Sequence, residues 1–521
     1  MMKNIINKAI GGLLLLSITL SSCDKDFESV NTDPINIIGT TPEKLLAPAL
    51  VNTVTANMMR NRNFTNELMQ VTVSISDGDA TVMRYEFRRT WADYLWNIWY
   101  VQLNNFKDIY SLASEHGNEN SSYKGISLVC QAWVFSMLTD TYGDVPYTQS
   151  GQGKDGIMEP AFDRQKDIYL DLFKKLEEAN SLLSQGAAIT PLSDPVYKGD
   201  VAKWRKFGNS LYLRLLLRIS GKAEVAAETV AKIRELAEAN PSKYPLMSNN
   251  AESAVLKWTG EAGVGAYVNP YVNGIRVQDF RTPAMCSFFI DRLRDWQDPR
   301  VDISTYGDNS VCRLGINPTG SGMSGVPSGY AVGGAAVKKS YFYSTDQEVG
   351  GKAAGARSLQ QSPLAGVIMN YAEVQFILAE AALKGWIGGS PETYYNNGIA
   401  SSINYWVPAF SANPGSAVFK KYIDGADIEW NAGLSESGKM EQIHIQKYYA
   451  LFMVDMQQWF EYRRTGHPVL PKGTGLKNNG VMPARMTYPV YVQSANPTNY
   501  QLALAAQGGD EIFTNVWWQK P

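Results

Sequence analysis

The chain has 521 residues, enough to bury a large core and more than one compact domain usually holds. Its 48 lysines and arginines against 50 aspartates and glutamates give a net charge of -2. Because no basic run is present that could neutralise a phosphate backbone, we expect no nucleic-acid partner.

The N-terminus carries an export signal. An apolar run over residues 9–20 follows two early lysines and is shorter than the roughly 18 residues that cross a bilayer, which indicates a signal peptide over residues 1–22. Leu20-Ser21-Ser22-Cys23 resembles a bacterial lipobox, in which the cysteine is acylated and becomes the first residue of the mature protein. We therefore expect lipidation at Cys23 and a lipidated tether over residues 23–40. The alternative is an ordinary secretory peptide with an incidental cysteine.

The expected location follows from this anchor. Several acyl chains on one residue bury enough CH₂ groups for lasting attachment, so the protein is expected to be tethered to the membrane without spanning it. Asp24-Lys25-Asp26 resembles the signal that sends some lipoproteins to the outer face of the outer membrane. We expect a lipid-anchored, surface-exposed protein.

Helical periodicity dominates two parts of the chain, residues 41–248 and residues 366–521, the latter including a C-terminal segment. The predicted helices cover approximately residues 92–114, 123–139, 164–183, 201–220, 223–239, 370–384, 391–407 and 440–464. Consecutive helices joined by short breaks predict a mainly α fold of tetratricopeptide-like hairpins, although no clean repeat consensus is present.

Residues 249–365 differ from both helical parts. They are rich in Gly, Ser, Asn, Tyr and Pro and weak in helical periodicity, which predicts a loop-rich insertion with little regular structure. Such segments often carry function on a rigid scaffold, so part of the ligand-binding region is expected here.

Cysteine and histidine use gives little sign of catalysis. Cys130 lies in an apolar helical stretch and is expected in the core, while pairing of Cys286 with Cys312 stays open. Motifs such as HExxH, a nucleophile elbow or a P-loop are missing from the sequence. Glu441 and His444 are interpreted as a helix-surface ion pair.

We expect no enzymatic activity, no metal and no cofactor. A pair of acidic residues suited to glycoside hydrolysis stays open, because the required separation is spatial. Asp77-Gly78-Asp79 is interpreted as a turn, although a structural calcium there stays open.

The positive signal for function is aromatic. Residues 85–100 read YEFRRTWADYLWNIWY, in which Trp96 and Trp99 have helical spacing and are assigned to the core. Aromatic side chains without such spacing are candidates for stacking on a sugar or a peptide. The candidate ligand-binding residues are Tyr85, Trp91, Trp258, Tyr267, Tyr271 and Tyr306.

Several motifs follow one another in a recognisable order. They are Asn31-Thr32-Asp33-Pro34, the segment TDTYGDVPY from Thr139 to Tyr147, Phe162-Asp163 with Ile168-Tyr169, Lys203-Trp204 to Arg218, Asp298-Pro299-Arg300, Tyr371 to Ala382, Trp459 to Gly466 and Trp517-Trp518. This ordered set covers nearly the whole chain and resembles the SusD/RagB family of outer-membrane nutrient-binding lipoproteins, in a divergent branch.

The resemblance implies a function that composition alone does not. A member of this family would bind a nutrient, here an oligosaccharide or polysaccharide, and deliver it to a SusC-like TonB-dependent transporter. The alternatives are a peptide-binding lipoprotein of the same type and a surface glycoside hydrolase.

Overall fold

The computed structural model describes residues 40–520 except 77, 79–80, 260–266, 308–310, 321, 335, 347, 350–351 and 354–357. The chain divides into two units, Met1–Thr41 and Pro42–Pro521, and nearly all of the first lies outside the described residues. The predicted signal peptide, Cys23 and all but Gly78 of the predicted turn at 77–79 also lie outside them. No described helix is long and apolar enough to cross a membrane.

Long helices fill the first half of the larger unit. In chain order the elements are α1 (Pro42–Arg60), a π-helix (Asn61–Thr65), α2 (Asn66–Leu68), β1 (Thr72–Val73), α3 (Trp91–Leu112), α4 (Ser121–Tyr142), β2 (Val145–Pro146), β3 (Phe162–Asp163), α5 (Gln165–Leu183), α6 (Val201–Ile219), α7 (Ala226–Arg234) and a second π-helix (Glu235–Ala239). The Asn120 side chain caps α4 by accepting from the backbone N–H groups of Ser122 and Tyr123. Gly143, at φ 86°, ends the same helix.

The loop-rich insertion consists of short elements in its described part. They are β4 (Ala254–Leu256), α8 (Pro270–Asn273), α9 (Val277–Arg281), β5 (Ala284–Met285), α10 (Ser287–Asp295), α11 (Ile303–Tyr306), β6 (Ile316–Pro318), β7 (Ser340–Phe342), β8 (Glu348–Val349) and β9 (Lys352–Ala353), and β10 (Gly366–Met369) follows the insertion directly. An antiparallel sheet of order β1-β5-β7-β6 joins the insertion to the first helical half through the pair Thr72 and Met285. The insertion is therefore fixed to the scaffold by backbone hydrogen bonds.

Helices return in the second half. They are α12 (Tyr371–Leu383), α13 (Pro391–Trp406), α14 (Ala417–Ala426), α15 (Glu436–Ala450), α16 (Gln457–Thr465), α17 (Val490–Ala495) and α18 (Pro497–Gln507). The prediction of one helix over residues 440–464 is wrong, because residues 451–456 separate α15 from α16. Met453 and Asp455 there have φ values of 69° and 30°, which a continuous right-handed helix does not allow.

Neighbouring helices pack as hairpins, which confirms the mainly α, tetratricopeptide-like prediction. The pairs α1 with α3, α3 with α4, α4 with α5 and α12 with α13 are in extensive contact. Trp133 and Trp204 are 1% and 0% exposed in the core between them. Cys130 is buried as predicted, and Cys286 and Cys312 are buried free thiols. Burial raises the pKa of both of these thiols to about 12.

A buried ion-pair network joins α12, α15 and α16. The two terminal guanidinium nitrogens of Arg464 donate to the Glu380 carboxylate, at 2.8 and 2.6 Å, and Arg464 also bridges to Glu461 at 2.9 Å. Lys447 contacts Glu461 at 2.6 Å, and His444 Nε2 lies 3.3 Å from Glu380. The segment from Trp459 to Gly466, one of the motifs that resemble the SusD/RagB family, therefore stabilises the helical scaffold.

The interpretation of Glu441 and His444 as a helix-surface ion pair is wrong. His444 is buried and faces Glu380, while Glu441 pairs with His467 Nδ1 at 2.6 Å. The i, i+3 spacing describes neighbours on one helix only. In the folded chain both side chains pair instead with residues from other segments.

Candidate ligand-binding site

The candidate aromatic residues divide into buried and accessible sets. Tyr85, Trp258 and Tyr271 are 3%, 3% and 1% exposed and belong to the hydrophobic core, so the expectation that they lie at an accessible surface is wrong. Trp91, Tyr267 and Tyr306 are half-buried. Contact of any of these side chains with a ligand stays a prediction.

The physical reason for the error is long-range packing. The Tyr271 hydroxyl donates to the Met58 carbonyl at 3.0 Å, a partner 213 residues away. Trp258 lies against Gly366, where an added Cβ would come within 2.9 Å of the indole nitrogen. Helical spacing within one segment cannot reveal either partner.

The six residues do not form a single site. Tyr267 pairs through its backbone with Thr259, and Tyr306 packs edge-on against Phe410 with ring centroids 6.2 Å apart. Trp91 and Tyr271 instead meet the same element, the C-terminal end of α1. Two of the six candidate residues therefore contact the same helix end.

The end of α1 forms what we call the Trp91 surface, which consists of Arg60, Arg62, Trp91 and Tyr94. The Arg60 guanidinium lies 4.8 Å from the Trp91 ring centroid and 4.7 Å from that of Tyr94. Trp91 and Tyr94 stand one helical turn apart at the start of α3, so their rings can share one cation. Aromatic rings and guanidinium groups, all half-buried, therefore lie side by side.

The π-helix places the second arginine of the Trp91 surface. It continues α1 directly, and such widened turns often occur at functional sites. Arg62, in this turn, donates to the Asp279 carbonyl and lies 5.8 Å from the Phe280 ring. The insertion thus contributes a wall through α9.

Two polar atoms of the Trp91 surface lack protein partners. The Nε atoms of Arg60 and Arg62 are buried and have no hydrogen-bond acceptor among the described residues. Burial lowers the pKa of both guanidinium groups. Buried donors are normally satisfied, so these two Nε atoms are polar groups that the described residues leave unpaired.

The sequence predicted Trp91 as a candidate, a prediction that stays untested, and did not single out Arg60, Arg62 or Tyr94. Tyr94 lies three residues after Trp91 in the aromatic segment, and this i, i+3 spacing alone could have identified it as a partner of Trp91. Arg60 ends α1 and Arg62 lies in the π-helix that follows, neither of which the sequence pattern predicted, and both positions depend on the packing of α1 against α3.

A cluster of potential metal ligands is present elsewhere. Glu380, His444 and Glu461 bring ligand atoms within 4.8 Å of one another among the described residues. Arg464 and Lys447 already bind these carboxylates, so their negative charge is used by fixed cations. The cluster fits a structural ion-pair network and does not fit a metal site.

Comparisons with known proteins agree with this fold. The model of the SusD-like family described as starch-binding and associating with the outer membrane matches residues 34–489. This match covers most of the sequence. The chain belongs to the SusD-like family.

Solved structures with similar folds include members of this family. A SusD homologue from Bacteroides fragilis superposes with a TM-score of 0.73 at 24% identity, covering 92% of this chain and 100% of its own. A chitin-binding SusD homologue from Flavobacterium johnsoniae gives 0.73 at 21%, covering 92% and 98%. A chitin-binding protein gives 0.69 at 25% identity, covering 92% and 100%. No protein of curated function matches the sequence.

Proposed function

We propose that the protein is a lipid-anchored outer-membrane lipoprotein that binds a glycan at the Trp91 surface and delivers it to a SusC-like transporter. The observation that carries the site is the Arg60 guanidinium lying against both Trp91 and Tyr94. Sugar rings present C–H faces that pack on aromatic rings, and their hydroxyl oxygens accept hydrogen bonds from guanidinium groups.

Family membership supports binding followed by handover rather than covalent chemistry. Two of the similar structures are described as chitin-binding, which makes oligomers of N-acetylglucosamine the first ligands to test. The lipobox at Cys23 supports attachment to the membrane. The transporter partnership is inferred from the family.

The site is tested by titration calorimetry with N-acetylglucosamine and maltose oligomers. Trp91→Ala should weaken binding by at least about 2 kcal/mol, or roughly thirtyfold in Kd, as expected for an anchor residue. Arg60→Gln should also weaken binding because it removes the cation and its donors. Melting temperatures measured on the same samples separate loss of binding from loss of folding.

A matched control is available in the turn after α12. Trp386 is also half-buried and also carries a cation, with Lys384 Nζ 4.9 Å from its ring centroid. Trp386→Ala should leave glycan binding unchanged. Equal effects of Trp91→Ala and Trp386→Ala would contradict the proposed site.

A peptide ligand is the second candidate, because the paired arginines of the Trp91 surface also suit peptide carboxylates. Acidic peptides titrated against the same variants distinguish the two. Tight peptide binding without glycan binding would replace the glycan proposal. Accumulation of reducing ends during incubation with polysaccharide would instead indicate a glycoside hydrolase.

Delivery is tested in cells. The transporter should co-purify with the lipoprotein from detergent-solubilised outer membranes, and uptake of a fluorescent oligosaccharide should require both proteins. Uptake that is unaffected by loss of the lipoprotein would contradict the handover.

A further inference from the structure

A concave surface begins about one and a half turns along α3 from Trp91. We call it the α17 groove, because its far wall is α17 and the residues that follow it. The opposite wall comes from α3, and the floor comes from the segment between β2 and β3. Its volume is about 510 Å³, within the usual range of ligand pockets, roughly 300 to 1,000 Å³.

The groove has an unusual charge pattern. None of its lining residues carries a charge, although 19% of the residues in the chain do. A charged ligand group placed here would lose hydration without gaining an opposite charge. The chemistry of the groove therefore favours an uncharged ligand, in contrast to the Trp91 surface with its two arginines.

Apolar side chains at the edge of the groove are exposed to solvent. Val101, Met158 and Tyr491 are 56%, 78% and 44% exposed, and each lines the groove. Exposed apolar residues scattered singly need no explanation, but a cluster around one cavity marks an interaction site. Phe162 and Tyr100, both half-buried, add aromatic surface further in.

Hydrogen bonds fix the walls of the groove in advance. The Tyr491 hydroxyl donates to Asn97 Oδ1 at 2.5 Å, which links α17 to α3. The Tyr100 hydroxyl donates to the Pro146 carbonyl at 2.7 Å, and the Asn496 amide donates to the Pro160 carbonyl at 2.6 Å. A preformed surface avoids part of the entropy cost of ordering side chains on binding.

The groove and the Trp91 surface share one face of α3. Tyr94, Asn97, Val101 and Asn104 follow one another at intervals of three or four residues, and the last three are exposed. At a rise of 1.5 Å per residue this face is about 15 Å long. A ligand extended along α3 can therefore contact both surfaces.

We propose that the α17 groove is a second subsite for an uncharged stretch of the same saccharide chain whose other end occupies the Trp91 surface. This inference rests on the proposed function. It implies that the protein recognises a chain several sugars long and that affinity increases with length, since both subsites then act on one ligand.

The test uses N-acetylglucosamine oligomers from dimer to hexamer with protein labelled at the methionine methyl groups. Met158 is 78% exposed in the groove, and Met158→Leu assigns its NMR signal. The hexamer should shift this signal and bind at least about tenfold more tightly than the dimer. The de-N-acetylated hexamer, which is cationic, should shift it less.

Two variants assign the effect to the groove. Ala495→Trp fills it from an exposed position, and should abolish the Met158 shift and reduce hexamer affinity to that of the dimer. Leu502→Trp adds the same side chain at a site 63% exposed that does not line the groove, and should change neither quantity.

The outcomes separate this inference from the proposed function. Binding that depends on Trp91 but leaves the Met158 signal unmoved at every length would overturn the groove subsite alone. Equal loss of dimer and hexamer binding in Ala495→Trp would do the same. Absence of saccharide binding at any length would overturn both.

Discussion

Replacing Glu380 with glutamine should destabilise the fold by about 3 to 5 kcal/mol, the usual cost of removing one partner from a buried ion pair. The carboxylate is fully buried and accepts bonds from Arg464 at 2.8 and 2.6 Å. It also lies 3.3 Å from both His444 Nε2 and Lys384 Nζ. Glutamine keeps the side-chain volume and removes the negative charge. Arg464 would then keep only Glu461 as a carboxylate partner.

The measurement is equilibrium unfolding in urea at pH 7, followed by tryptophan fluorescence. Asp424→Asn is the matched control, because Asp424 pairs with Lys420 at 3.3 Å on the exposed surface of α14. The control should change the free energy of unfolding by less than about 0.5 kcal/mol. If Glu380→Gln cost less than about 1 kcal/mol, the network would not stabilise the scaffold as inferred.

The same network predicts a pH dependence. Burial alone would raise the pKa of Glu380, but Arg464 overrides it and holds this pKa well below its usual value of 4.5. A carboxyl with a depressed pKa stabilises the folded state fully above its unfolded pKa and loses that contribution as the pH falls. The difference between wild type and Glu380→Gln should therefore shrink progressively below about pH 4.5. A difference that stayed constant down to pH 3 would refute the assignment.

Further predictions concern the anchor and the aromatic residues. Cys23→Ala should abolish labelling by a fatty-acid analogue and release the protein from membranes, since the acyl chains supply nearly all the membrane affinity; unchanged labelling would disprove lipidation there. Trp204→Ala should cost about 3 to 5 kcal/mol in unfolding experiments, because the ring is fully buried and its N–H donates to Asp194 at 2.8 Å. Tyr271→Phe should lower the free energy of unfolding by about 1 kcal/mol through the lost hydrogen bond to Met58, with glycan affinity unchanged. A large loss of affinity would show that Tyr271 contributes to ligand binding.

The fold was predictable where one segment determines its own structure. Periodicity located α3 to α6, α12 and α13 within a few residues, although α4 and α12 are buried on nearly all sides rather than along one stripe. Helix α1 was missed, since Pro48 interrupts its pattern and apolar and polar residues are mixed around it. The break between α15 and α16 was missed because buried tertiary contacts, such as the Trp133 indole 3.4 Å from Asp455, surround the left-handed residues there.

The candidate site was less predictable because it forms between segments. Trp91 was chosen for lacking core partners, a criterion that equally selected Tyr85 and Trp258, both of which are buried. Packing against residues that are distant in the sequence distinguishes the buried Tyr85 and Trp258 from Trp91. Conversely, Arg60 has no local feature that distinguishes it from other arginines, and its position over two rings arises when α1 packs on α3.

The widened turn at Asn61–Thr65 has a consequence for how such proteins can diversify. A π-turn is equivalent to one extra residue inserted in an α-helix, so deleting one residue there would restore ordinary pitch. The turn absorbs the extra residue, so the helical segments on either side would keep their orientation after such a deletion. If the deleted residue were Arg62, its contacts with α9 would be lost while the core contacts of α1 stayed in register. A single codon could thus change which chemical groups this helix end presents, with the scaffold preserved.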